Sequence, residues 1–175
     1  VSGSSSVLGP NLPKMPVLLD TDVFINSLAG RGPRVLRDLL DAVYRVFVAA
    51  PTRAELAWVS GRLDPVHPGT GAVLSLYAQL MARIDPAKVL VPADQDWMEA
   101  GKLAGAAARA IAGGARKTGT AFDRVELISD ALIAVLAHKA GLTIVTADKD
   151  FQVLGRLMPG LSVLFYEQVG LHAKR

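Results

Sequence analysis

Asp20, Glu55, Asp130 and Asp148 are the side chains best suited to chemistry in this chain, with Asp22 and Asp150 beside two of them. Asp20 and Asp22 break an apolar run, Val17-Leu18-Leu19-Asp20-Thr21-Asp22-Val23-Phe24. Such a run reads as a buried strand, and in open α/β sheets ligands bind just past the carboxyl ends of strands. Asp20 would equally serve as the N-cap of a following helix. On this segment alone the two readings are level. Asp148 and Asp150 repeat the pattern, because a strand over 142–145 runs into Thr146-Ala147-Asp148-Lys149-Asp150-Phe151. There the alternative is a turn and a cap for a helix starting at Phe151.

Glu55 sits in Thr52-Arg53-Ala54-Glu55, the spacing of a capping box in which the glutamate bonds back to the threonine amide. Taken alone, that structural role wins. Yet the preceding strand delivers this helix start to the same sheet edge as Asp20. Asp130 lies in one of the most apolar stretches, Leu127 to Ala137, where an acid is a poor helix residue and is rarely buried unpaired. Either Ser129 or Asp130 caps a helix that starts late, or the carboxylate meets partners, and the second reading is favoured because a buried acid needs one.

Carboxylates that converge without bases repel one another and hold their protons more tightly. A hard divalent cation removes that penalty, and a set of oxygen ligands alone selects Mg²⁺ or Mn²⁺ over zinc. Such ions activate water and stabilise the oxygens of an in-line phosphoryl displacement. That is nuclease chemistry.

The elements that must carry these acids alternate. Strands are expected at 17–19, 45–49, 88–91, 142–145 and 161–165. Helices are expected at 23–28, 33–41, 53–59, 73–84, from 92 or 93 to 111, at 122–139 and at 151–157, with Gly141 as a stop. The alternation means an α/β domain with a mostly parallel sheet. Residues 1–14, rich in Ser, Gly and Pro, read as a flexible leader or expression remnant outside the fold. The domain is then expected over 15–167, with a tail at 168–175.

With those motifs in order, the chain resembles the PIN-domain family, and within it the VapC-type toxins of bacterial toxin–antitoxin pairs. The resemblance covers Met15 to Phe165. It rests on Leu18 to Ile25 (LLDTDVFI), Thr52-x-x-Glu55-Leu56, Ser129 to Ala134 (SDALIA) and Thr146 to Phe151 (TADKDF). It implies a three-layer α/β/α sandwich and a Mg²⁺- or Mn²⁺-dependent ribonuclease. It also implies a homodimer, inhibited by a small antitoxin that blocks the acidic pocket. The family's metal-binding acids would fall on Asp20, Glu55, Asp130 and Asp148, assisted by Asp22 or Asp150, with Thr21, Ser129 and Thr146 in support. Two departures stand out: Asn is commoner at the position of Asp22, and Gly113 to Asp123 is longer than usual.

Composition narrows the field without deciding it. The 175 residues suffice for one domain with a real core, and 51% hydrophobic content with mean hydropathy +0.33 excludes disorder. The absence of cysteine rules out disulfides and thiolate metal sites and fits a cytoplasmic protein. Charges interrupt every apolar stretch before it can span a bilayer. Net charge +3 is a mild attraction for polyanions. Arg109, Arg116, Lys117 and Arg124 are candidates for an RNA backbone, on equal footing with a solvated basic turn, as are Arg31, Arg34 and Arg37. Gly113 to Thr118 is not a phosphate loop, since Ile111 and Arg116 stand where glycines are required. Gly101 and Gly105 suggest close helix packing, internal before intersubunit, and Trp58 and Trp97 suggest core or interface. His67, His138 and His172 form no metal pair.

Two other functions compete. Asp20-Thr21-Asp22 mimics the nucleophile pair of a haloacid-dehalogenase-type phosphatase, but Phe24 stands where that chemistry wants a hydroxyl. The other is a PIN-like module that binds RNA or protein without cutting.

Overall fold

The computed structural model describes residues 4–7, 15–41, 46–112 and 121–168. The strands are β1 (Ser4–Val7), β2 (Val17–Leu19), β3 (Val46–Ala49), β4 (Val89–Leu90), β5 (Thr143–Thr146) and β6 (Ser162–Phe165). The helices are α1 (Thr21–Leu28), α2 (Arg34–Asp41), α3 (Ala50–Arg62), α4 (Thr70–Ala82), α5 (Asp94–Ile111), α6 (Ala121–Ala140) and α7 (Asp150–Leu157). A 3-10 turn, Pro86–Lys88, leads into β4.

All strand pairs are parallel, in the order β1-β6-β5-β2-β3-β4. From β2 the chain builds outward through β3 and β4, then returns to the other side for β5 and β6. The order therefore reverses between β2 and β5, the kind of place where open α/β sheets bind ligands beyond the strand ends. Asp20 follows β2 there, and Asp148 follows β5.

Alternation along the strands divides the core in two. Val17 and Leu19 face a cluster with Phe24 of α1, Leu36 and Leu39 of α2, Leu56 of α3 and Tyr77 of α4. Leu18 and Ile144 face the opposite cluster, with Leu103 of α5, Leu132 of α6 and Leu154 of α7. Helices thus cover both faces, the expected three-layer α/β/α arrangement. Gly141 ends α6 at φ 64°, a conformation that favours glycine.

Several expectations need correction. Ser4–Val7, set aside as leader, pairs with Ser162–Phe165 and extends the sheet by one edge strand. Trp58 and Trp97 are exposed, which removes the core half of their core-or-interface reading. Trp58 instead carries the guanidinium of Arg62 at 5.1 Å over its ring. Gly101 and Gly105 face open space, so the internal-packing reading fails. On α4, Tyr77 is buried while Val73 and Leu76 are exposed. Periodicity locates a stripe, but a neighbour must exist to cover it.

Candidate active site

Asp20 caps α1 and also lies beside Asp22 and Glu55, so capping does not exclude a place among the acids. It is 4% exposed, and its Oδ1 accepts from the Thr21 amide at 2.7 Å at the start of α1. Its Oδ2 accepts from Thr146 Oγ1 at 2.7 Å, at the end of β5. Asp22, in the first turn of α1, accepts at Oδ2 from the Ala147 amide at 2.7 Å. Its Oδ1 is buried with no hydrogen-bond partner among the described residues.

The capping box at Thr52 does not form. Helix α3 begins directly at Ala50, with Ala49 as N-cap and Pro51 in the first turn, so Thr52 already lies inside it. Thr52 Oγ1 is buried without a partner. Glu55 is thereby free to reach the pocket, where Oε2 accepts from Thr21 Oγ1 and Oε1 from Ser129 Oγ.

Asp130 and Ser129 sit in the middle of α6, which excludes a late-starting helix. Residues 131–137 of that helix are buried without a break. Burying even one leucine, such as Leu132, contributes about 1.5–3 kcal/mol. That outweighs the few tenths of a kcal/mol (roughly) that separate Asp from better helix formers. The apolar helix therefore carries its acid to the pocket at small cost.

Past β5, Asp148 Oδ1 accepts from the Asp150 amide at 2.9 Å, and the Asp148 amide donates to Thr146 Oγ1 at 2.9 Å. This local turn aligns the two carboxylates before α7. Asp130, Asp148 and Asp150 each offer an oxygen within 4.8 Å of the others. Asp150, reckoned only an assistant from sequence, is therefore part of the tightest group, while Asp20 and Glu55 stand beside it.

The electrostatics record the crowding. Burial first, then the Asp22 charge, pushes the Asp20 carboxyl well above its usual range. Asp130 is pushed up likewise, by burial and then by Asp20, Asp148, Glu55 and Asp150. Burial raises Asp22 to about 6 against the pull of the Ala147 amide. Asp150 is also raised, by burial and Asp148. No positive side chain figures among the groups that shift these four. The donor set is all oxygen, and among the described residues the mutual repulsion is uncompensated and one buried carboxylate oxygen is orphaned. Those features fit a hard divalent cation.

A family model described as "PIN domain" matches residues 17–157. The chain belongs to the PIN-domain family. The PIN fold is likewise recognisable in solved structures. FitAcB from Neisseria gonorrhoeae is 20% identical, with TM-score 0.59, covering 85% of this chain and 96% of that one. VapBC2 from Rickettsia felis, bound to a DNA fragment from its promoter, is 15% identical, with TM-score 0.59 and coverage of 87% and 100%. DNA-bound VapBC from Salmonella typhimurium is 20% identical, with TM-score 0.57 and coverage of 85% and 96%. No curated protein matches the chain.

In this PIN domain the described acids and hydroxyls named from sequence come to one sheet edge. Arg109 is exposed near the end of α5. Arg116 and Lys117 lie outside the described residues, as does the side chain of Arg124. Sequence reasoning passed over Asn26 and Tyr166, which meet at 2.9 Å behind Asp22. Asn26 shares α1 with Thr21, Asp22 and Ser27, and no local spacing links it to a tyrosine 140 positions away. No helix among the described residues is long and apolar enough to cross a membrane.

Proposed function

We propose that this PIN domain is a Mg²⁺- or Mn²⁺-dependent endoribonuclease, the toxin of a toxin–antitoxin pair. The observation that carries the reading is the convergence of Asp130, Asp148 and Asp150 within 4.8 Å. Among the described residues, no base is seen to offset it. Those three carboxylates would hold the cation, with Asp20, Glu55 and Asp22 alongside. When bound, the cation supplies an activated water and neutralises charge building on the scissile phosphate.

The chain's own part is to hold these oxygens still. Thr146 and the Thr21 amide fix Asp20, while the Thr21 and Ser129 hydroxyls fix Glu55. Without a cation, burial and the neighbouring carboxylates push the Asp130 carboxyl well above its usual range. Arg109, Arg116, Lys117 and Arg124 are proposed to touch the RNA backbone. A small antitoxin blocking the acidic site and a homodimeric state follow from the family resemblance, and a cytoplasmic location from the absence of cysteine. The shared fold with VapBC and FitAcB supports the toxin reading.

The phosphatase alternative is disfavoured. Both Asp20 oxygens are engaged by donors, and Phe24 is fully buried. The test is incubation of the purified chain with a mixed RNA across a Mn²⁺ titration, with EDTA and Asp20→Asn as controls. Cleavage that needs Mn²⁺ and Asp20 is expected. Undiminished cleavage in EDTA, or turnover of p-nitrophenyl phosphate without RNA cleavage, would sink the proposal.

A further inference from the structure

Asn26 and Tyr166 form a buried polar pair that the acidic pocket does not by itself require. Asn26 is 2% exposed on α1, one turn beyond Asp22, and Tyr166 is 4% exposed just past β6. Asn26 Nδ2 donates to the Tyr166 hydroxyl at 2.9 Å. An amide nitrogen can only donate, so the phenol oxygen is the acceptor and its own proton points elsewhere. The Asp22 carboxylate, one turn before Asn26 on α1 and held by the Ala147 amide beside Thr146, is the acceptor next to that hydroxyl.

The main chain of Tyr166 is tied to the same place. Its amide donates to the Thr146 carbonyl at 3.1 Å, while the Thr146 hydroxyl holds Asp20. Asp22 Oδ2 is already held by the Ala147 amide, which leaves Oδ1 as its unpartnered atom beside Asp20 and Asp148. A phenol titrates well above neutral pH, so its hydroxyl is a donor here.

We propose that Tyr166 is a positioning residue: seated by Asn26, its hydroxyl orients the Asp22 carboxylate so that Oδ1 stays available to a divalent cation. This rests on the cation reading of the pocket. Groups that orient the carboxylates around a cation typically change affinity about 10–100-fold when removed. A phenol that only packed between β6 and α1 would affect melting but not cation affinity.

The test is Mn²⁺ uptake by the purified full chain without RNA, followed by the electron paramagnetic resonance signal of free Mn²⁺. Melting temperature is measured alongside. Tyr166→Phe keeps the ring and should weaken Mn²⁺ binding about tenfold or more. In an Asp22→Ala background the same substitution should add nothing, because Tyr166 acts through Asp22. Asn26→Ala, which leaves both groups in place, should weaken binding in the same direction but less, and serves if Tyr166→Phe does not fold. Parent-like affinity in Tyr166→Phe, or in Asn26→Ala where that variant stands in, overturns the inference alone. So does a full extra loss in the double variant. A parent chain that takes up no Mn²⁺ overturns the cation reading and this inference together.

Discussion

Thr146 Oγ1 donates to Asp20 Oδ2 at 2.7 Å, so the hydroxyl that ends β5 fixes the carboxylate that follows β2. The same oxygen accepts from the Asp148 amide at 2.9 Å. One buried hydroxyl thus joins the two acidic strand ends across the point where the sheet order reverses.

Thr146→Val keeps the shape of this side chain and removes both bonds. A buried carboxylate oxygen and a backbone amide then lose their partner, which costs about 1–3 kcal/mol. Urea unfolding should show that loss, and RNA cleavage should fall with it. Unchanged stability and unchanged cleavage would contradict the role given to Thr146.

Thr52→Val separates the observed helix start from the capping box suggested by sequence. Because Thr52 Oγ1 is buried without a partner, replacing it should be neutral or stabilising, by up to about 1 kcal/mol. Loss of an N-cap would instead cost about 1 kcal/mol in the same urea experiment. Destabilisation of that size would restore the capping box.

The metal-free chain should lose stability as pH rises. Asp22 titrates at about 6 when folded against 3.8 as the reference, and Asp20 and Asp130 are raised in the same direction. The folded chain holds protons that the unfolded chain releases. The Asp22 contribution is therefore full below pH ~4 and is lost as pH passes about 6, and Asp20 and Asp130 act with the same sign. The lowered Asp96 and the raised Lys139 act outside this window. Melting temperature in EDTA should fall between about pH 5 and about pH 8, and Mn²⁺ should reverse the fall. A melting temperature that rises across this range, or that ignores Mn²⁺, contradicts the crowded-carboxylate account.

Much of this was legible because strands that run straight into acids carry their own signal. Val17 to Asp22 and Thr143 to Asp150 could be matched by type and order alone. Glu55 was legible as an acid but not in its role, since the cap pattern at Thr52 competes with a helix that continues directly from β3. Asp150 was underweighted because its convergence with Asp130 depends on how α6 and α7 rotate toward each other. The exposed Trp58 and Trp97 show the same limit, for apolar type does not say which helix face has a neighbour. The Asn26–Tyr166 pair depends on β6 returning beside α1, a relation no local spacing encodes. Ser4–Val7 joins the sheet through main-chain pairing with β6, to which its Ser-rich side chains give no pattern.

The central claim is that the convergent carboxylates bind a divalent cation and thereby cut RNA. Its most direct measurement is the rate of RNA cleavage against Mn²⁺ for the parent chain and for Asp130→Asn, with both shown folded by melting. Removing one pocket oxygen charge should reduce the rate by about a hundredfold or more, beyond what loss of a mere orienting partner costs. The variant should melt no lower than the parent in EDTA, because a repelled buried charge is gone. Parent-like cleavage by folded Asp130→Asn, or parent cleavage that persists in EDTA, would contradict the account.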